Sequence, residues 1–149
     1  MGIALPLLVL LAVLVVLSAS FSAAEAAMLS INKVRLRHLM EQGDRNAHVV
    51  FRLLTRLDHV IGALLVANNV VNVAISVIAT SIFIGLFGSQ KGLAIATLAI
   101  TVVLLLVGEV TPKMFAATHA EQVAFVMARP LQVLMAILYP ISAFFAWAG

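Results

Sequence analysis

The stretch Gly108-Glu109-Val110-Thr111-Pro112-Lys113 closes an uncharged apolar run, Leu93 to Val107, with a carboxylate, a proline and an ammonium. Proline has no N–H, and its ring crowds the carbonyl four residues back. In a helix that carbonyl belongs to Gly108, beside the carboxylate of Glu109. A freed main-chain oxygen next to an ionisable one, at membrane depth, is a pair of cation ligands. A plainer reading makes this a helix end at the membrane surface, with Pro112 as the stop and Lys113 reaching toward phosphate. The stretch alone leaves both readings open.

Working outward, the 149 residues are 64% apolar and 10% charged, with a mean hydropathy of +1.18. Soluble domains run roughly 45–50% apolar and about 25% charged. The composition is that of an all-α integral membrane protein. There is no cysteine, which excludes disulfides and thiolate metal sites. The sequence pI near 10.0 does not argue for nucleic acid, because the basic residues cluster beside apolar segments and so read as topology.

Three spans are expected, at residues 3–29, 60–87 and 92–110. Gly2 to Ala24 is uncharged and long enough for a hydrocarbon core that needs about 20 residues. It lacks the basic start of a signal peptide and outruns an h-region of about 7–15 residues, so it reads as a retained helix. Ser18, Ser22 and Glu25 share one face of it, at i, i+4 and i+7. Serines in such helices also serve close packing, bonding back to their own backbone. In the second span, Asn68, Asn69 and Asn72 fall within five residues, with Ser76 four further on. Interhelical hydrogen bonds are one use for them, and neutral oxygen ligation of an ion is the other.

Between the first two spans lies Ile31 to His59, which holds six of the nine Lys and Arg residues. That excess places the segment in the cytoplasm, where it would touch lipid phosphate. Gln42-Gly43-Asp44 divides it into two short amphipathic helices within residues 31–57. Gly88-Ser89-Gln90-Lys91-Gly92 reads as a tight turn outside, so the N-terminus is outside and the third span runs inward. Residues 114–148 are expected as juxtamembrane helix, interrupted at Pro130 and Pro140. Tyr139 and Trp147 suit an interface, so this last helix is expected to lie bent along the cytoplasmic face, with the C-terminus inside. The apolar ending Trp147-Ala148-Gly149 suggests a domain of a longer protein.

Each span thus offers oxygen: Ser18, Ser22 and Glu25; Asn68, Asn69 and Asn72; the Gly108 carbonyl and Glu109. An all-oxygen set suits magnesium, calcium or sodium rather than zinc or copper. With the stretches Leu17-Ser18-Ala19-Ser20-Phe21-Ser22-Ala23-Ala24-Glu25-Ala26-Ala27, Leu64-Leu65-Val66-Ala67-Asn68-Asn69-Val70-Val71-Asn72 and Gly108-Glu109-Val110-Thr111-Pro112-Lys113 in this order, the chain resembles the transmembrane domain of the CorC/CNNM (cyclin M) magnesium transporters. The resemblance covers nearly all of residues 1–149. It implies a membrane-embedded homodimer of three-helix subunits with a belt-like juxtamembrane helix, exporting Mg²⁺ against Na⁺ entry. Separately, no enzymatic activity is expected, because the spans hold no His-Glu-x-x-His and no serine–histidine pair. The ion ligands the resemblance implies are Ser18 or Ser22, Asn68 or Asn69, Gly108 and Glu109, with Glu25, Asn72, Pro112 and Lys113 as secondary candidates. The family's cytoplasmic CBS domains are expected in the full-length protein and lie outside these residues, so nucleotide regulation is not carried over. The rival function is a membrane anchor, dimerisation or Mg²⁺-sensing module whose polar residues only hold helices together, and a channel is a third, since a sequence does not separate a pore from a carrier.

Overall fold

The computed structural model describes residues 4–148, and 94% of them are helical. Ile3, the expected start of the first span, and Gly149 lie outside the described residues. Helix α1, Ala4–Ser30, has apolar residues distributed around its whole circumference rather than on one stripe, as expected of a membrane-embedded or buried helix. Two short helices follow, α2 at Lys33–Glu41 and α3 at Arg45–Leu54. Each starts on a side-chain cap that satisfies otherwise orphaned amides. Asn32 Oδ1 accepts from the Val34 and Arg35 amides, and Asp44 Oδ1 from those of Asn46 and Ala47. Gly43 supplies the positive φ (86°) that turns the chain between them.

Helix α4, Leu57–Phe87, is 31 residues long. The reversal after it is tighter than the expected five-residue turn: Gly88 alone is non-helical, at φ 89°, and α5 runs from Ser89 to Val103. Gly92 makes this possible. A Cβ there would lie 2.6 Å from the Ile84 Cα and 2.7 Å from the Phe83 carbonyl oxygen, so only glycine lets the two backbones meet.

The third apolar helix does not stop at Pro112. Residues Leu104–Val110 wind as a π-helix, and α6 continues directly from Thr111 to Thr118. Pro112 is the second residue of α6, but with helix on both sides of it the missing N–H leaves a gap in the hydrogen-bond ladder. The chain breaks instead at His119, and α7, Ala120–Ala148, then runs unbroken through Pro130 and Pro140. The expected interruption at those prolines is therefore absent. A proline forfeits one hydrogen bond, whereas opening a helix in an apolar setting exposes several backbone groups.

Four helical stretches are long and apolar enough to cross a membrane: Leu5–Ser30, Leu57–Phe87, Ser89–Thr118 and Ala120–Ile141. Helix α1 is the centre, packing against α4, the π segment, α6 and α7. The apolar core gathers at the basic end of the bundle, where Met28, Leu36, Val50, Val60, Leu64 and Leu131 are buried together.

Candidate ion site

Away from that core, what α1 buries is polar. Ser18 and Ser22 are the buried polar side chains among the described residues, both fully enclosed. The Ser18 hydroxyl lies 3.0 Å from Asn68 Oδ1 and 2.8 Å from Asn72 Oδ1. The period of the α-helix puts these two asparagines on one face of α4, four residues apart. On the other side stands the π segment: a Cβ on Gly108 would sit 3.3 Å from Ser18 Oγ. Three helices therefore meet at one serine, and the glycine eases the approach of the third.

The local chemistry is short of protons. Ser18 has one hydroxyl hydrogen and two amide oxygens within hydrogen-bond distance. Either an amide turns its NH₂ toward Ser18, or surplus lone pairs face a positive charge. One turn further along α1, the Ser22 hydroxyl is buried without any hydrogen-bond partner. Leaving a buried hydroxyl unpaired costs about 1–3 kcal/mol, so the enclosure is built around groups that still have bonding capacity.

The π winding adds to this. The Thr111 amide donates to the Leu106 carbonyl, five residues back. The next amide in that register would be residue 112, and proline has none. Neither Val107, its i−5 carbonyl, nor Gly108, its i−4 carbonyl, can receive a bond from it. Single π turns within α-helices concentrate at functional sites. Glu109, next in sequence, is half-buried and holds no ion pair or hydrogen bond among the described residues.

Comparison with known proteins decides the family. The model of the family described as "Cyclin M transmembrane N-terminal domain" matches residues 9–149. The chain belongs to the cyclin M family. A UPF0053 protein of Haemophilus influenzae is 44% identical over 135 residues, covering 91% of this chain and 32% of that protein. The UPF0053 inner membrane protein YfjD of Escherichia coli is 42% identical over 122 residues, covering 80% of this chain and 28% of its own length. A chloroplastic DUF21 domain-containing protein of Arabidopsis thaliana is 37% identical over 134 residues, covering 89% and 20%. The chain thus spans about a third or less of these relatives. With its several apolar helices, this cyclin M domain is a multi-pass membrane protein.

Not every candidate in the cyclin M domain joins the cluster. Asn69 is exposed on α4, turned away from Ser18. Glu25 lies 3.7 Å from the Lys113 ammonium, an ion pair between α1 and α6 two turns from Ser18. The secondary candidate Asn72 proves to be the closer of the two amide contacts. Its spacing of four from Asn68 is the signal in the sequence that favours it over Asn69. Ser20 and Ser76 bond back to their own helices, at the Val16 and Asn72 carbonyls. Among the described residues no three His, Asp or Glu side chains are grouped to hold a metal. Any cation bound here would meet mostly neutral oxygen.

Proposed function

We propose that this cyclin M domain binds Mg²⁺ between α1, α4 and the π segment and carries it across the membrane, with Na⁺ moving the opposite way. The observation that supports this reading is the set of three side-chain oxygens formed by Ser18, Asn68 and Asn72. An octahedron with Mg–O bonds of about 2.0–2.1 Å has edges of roughly 2.9 Å, and the two contacts at Ser18 are 3.0 and 2.8 Å. A cation would supply the charge that one hydroxyl proton cannot. Ser18, Asn68 and Asn72 would each give an oxygen, the Gly108 carbonyl would add a fourth, and water would complete the shell. Glu109 is the carboxylate that would balance part of the charge. A site with one acid and several neutral ligands suits an ion that must leave again.

In this reading three helices span, namely α1, α4 and the continuous stretch from α5 to α6, and α7 serves as a belt along the cytoplasmic side. The basic segment of α2 and α3 faces the cytoplasm, the N-terminus is outside and the C-terminus inside. Asn69, exposed at mid-span on α4, needs a polar partner in lipid, and a second copy of the chain would provide one. The homodimer is part of the proposal for that reason. Cytoplasmic CBS domains belong to the longer protein in this picture.

The test is thermal unfolding of purified protein across a Mg²⁺ series. A ligand at 100 times its Kd stabilises by about 2.7 kcal/mol, so wild type should gain several degrees. Glu109→Gln retains the shape and removes the charge, and should lose most of that gain and of Mg²⁺ flux in vesicles. Equal responses of Glu109→Gln and wild type would place the site elsewhere, with Glu25 the next carboxylate to test. No Mg²⁺ response in wild type would favour the anchor function, in which the serine and asparagines only hold helices together.

A further inference from the structure

A second polar feature lies outside the ion cluster, where the α3–α4 junction faces α7. A cavity of about 460 Å³ is lined there by Arg52, Arg56, Val60, Gln132, Met135 and Tyr139, among others. Two more adjoin it. One, of about 400 Å³, shares Arg56, Met135 and Tyr139 and continues along Ala63 and Leu138. The other, of about 630 Å³, shares Arg52 and Gln132 and adds Arg45, His48 and Arg129. Together they form one groove with two unlike sides. Its rim carries four arginines, none in an ion pair among the described residues, and no Asp or Glu lines it. Its wall is apolar, made by Ala63, Met135 and Leu138 over the buried Val60.

We propose that this groove is a binding site for an anionic phospholipid. Four unpaired guanidinium groups on one rim would repel each other without an anion, and their planar forks suit phosphate oxygens. The apolar wall decides what kind of anion. Arg56 immediately precedes α4, and Val60 and Ala63 lie one and two turns further along it as it passes from the basic segment into the uncharged span. The rim therefore sits at headgroup level and the wall at the depth of acyl chains. A free phosphate or nucleotide would satisfy the rim and leave the wall empty. A two-tailed lipid with an anionic headgroup fits both. The site is independent of the ion reading, since it shares no residue with Ser18, Asn68, Asn72 or Gly108.

Purified protein stripped of lipid should be stabilised by phosphatidylglycerol and should retain it in native mass spectrometry, while phosphatidylcholine does neither. Replacing Arg52, Arg56 and Arg129 together by Gln should weaken phosphatidylglycerol binding on the order of a hundredfold, from the usual contribution of basic residues near an anionic surface. Ala63→Trp keeps every charge and fills the apolar wall, so it should reduce lipid retention even if the triple variant fails to fold. In both variants that fold, the Mg²⁺-dependent shift should persist. Equal binding of the two lipids, unchanged retention in Ala63→Trp, or the same stabilisation from inorganic phosphate or ATP alone would overturn the proposal.

Discussion

The two ends of helix α1 bury opposite kinds of residue. Near its C-terminal end Ala24, Ala27 and Met28 disappear into an apolar core with Leu36, Val50 and Leu131. A turn or two earlier the enclosed side chains are Ser18 and Ser22, while Val13, Val16 and Leu17 face outward. The first region follows the rule of water: α2 and α3 are charged outside, and their apolar faces are removed from solvent. The second follows the rule of lipid. Apolar side chains gain nothing by turning inward there, so inward positions are left for small residues and hydrogen-bonding ones. Burial at one end holds the fold together; at the other it encloses the groups of the proposed ion site.

Leu36→Ala tests the stability half most severely. Leu36 is 2% exposed and lies within the basic-end core. Its truncation should cost about 2–5 kcal/mol, seen as a large drop in apparent Tm in detergent. The extra stabilisation given by Mg²⁺ should survive in full. Loss of both together would mean that the two ends are one cooperative unit.

Asn72→Leu tests the other half in the opposite sense. The interhelical hydrogen bond it removes is worth only about 0.6–2 kcal/mol, so the protein should fold with a modest change in Tm. Mg²⁺-dependent stabilisation should fall about tenfold in apparent affinity or more, since one ligand is gone and Ser18 loses its nearest amide. A large loss of fold with an intact Mg²⁺ response would make Asn72 structural glue.

Much of this contrast was legible in the sequence, and for physical reasons. Charge-free runs, the basic segment and the breaker Gln42-Gly43-Asp44 depend on composition and local chemistry, and they located the helices. The residue types of the site were readable too, because a polar group in a long apolar run is costly wherever it points. Its geometry was not. Asn68, Asn69 and Asn72 are chemically identical, and which two meet Ser18 is set by how α4 is rotated against α1. The π segment was equally hidden: Pro112 signals a lost donor, yet whether the helix stops, kinks or widens depends on its neighbours. The ends of the third apolar helix moved for the same reason, since Gly88 and His119, not Pro112, mark where the chain turns or breaks.

Gly108→Ala adds a smaller perturbation to the ion end. The new methyl would sit 3.3 Å from Ser18 Oγ and 3.6 Å from Leu104 Cδ2. That is tight without being prohibitive, so α1 and the π segment should separate by a few tenths of an ångström. The expected result is a several-fold weaker Mg²⁺ response, with a Tm in the absence of Mg²⁺ close to wild type. It can be read from the same titration; a full loss of folding would instead make Gly108 a packing glycine like Gly92.

Asn69→Leu should do least at the ion site, although Asn69 stands next to one proposed ligand and three residues from another. Its side chain is exposed on α4 while Asn68 and Asn72 face Ser18. Within one chain it has no hydrogen-bond partner among the described residues, which is an expensive state for an amide surrounded by lipid. If a second copy supplies the partner, leucine should weaken self-association in a detergent dilution series and leave the Mg²⁺-dependent shift in Tm unchanged. A lost shift with intact association would reverse the assignment and bring Asn69 into the ion's shell. Three asparagines in five residues would then serve one site, and the rotation of α4 that separates them here would describe only one of the states the protein visits.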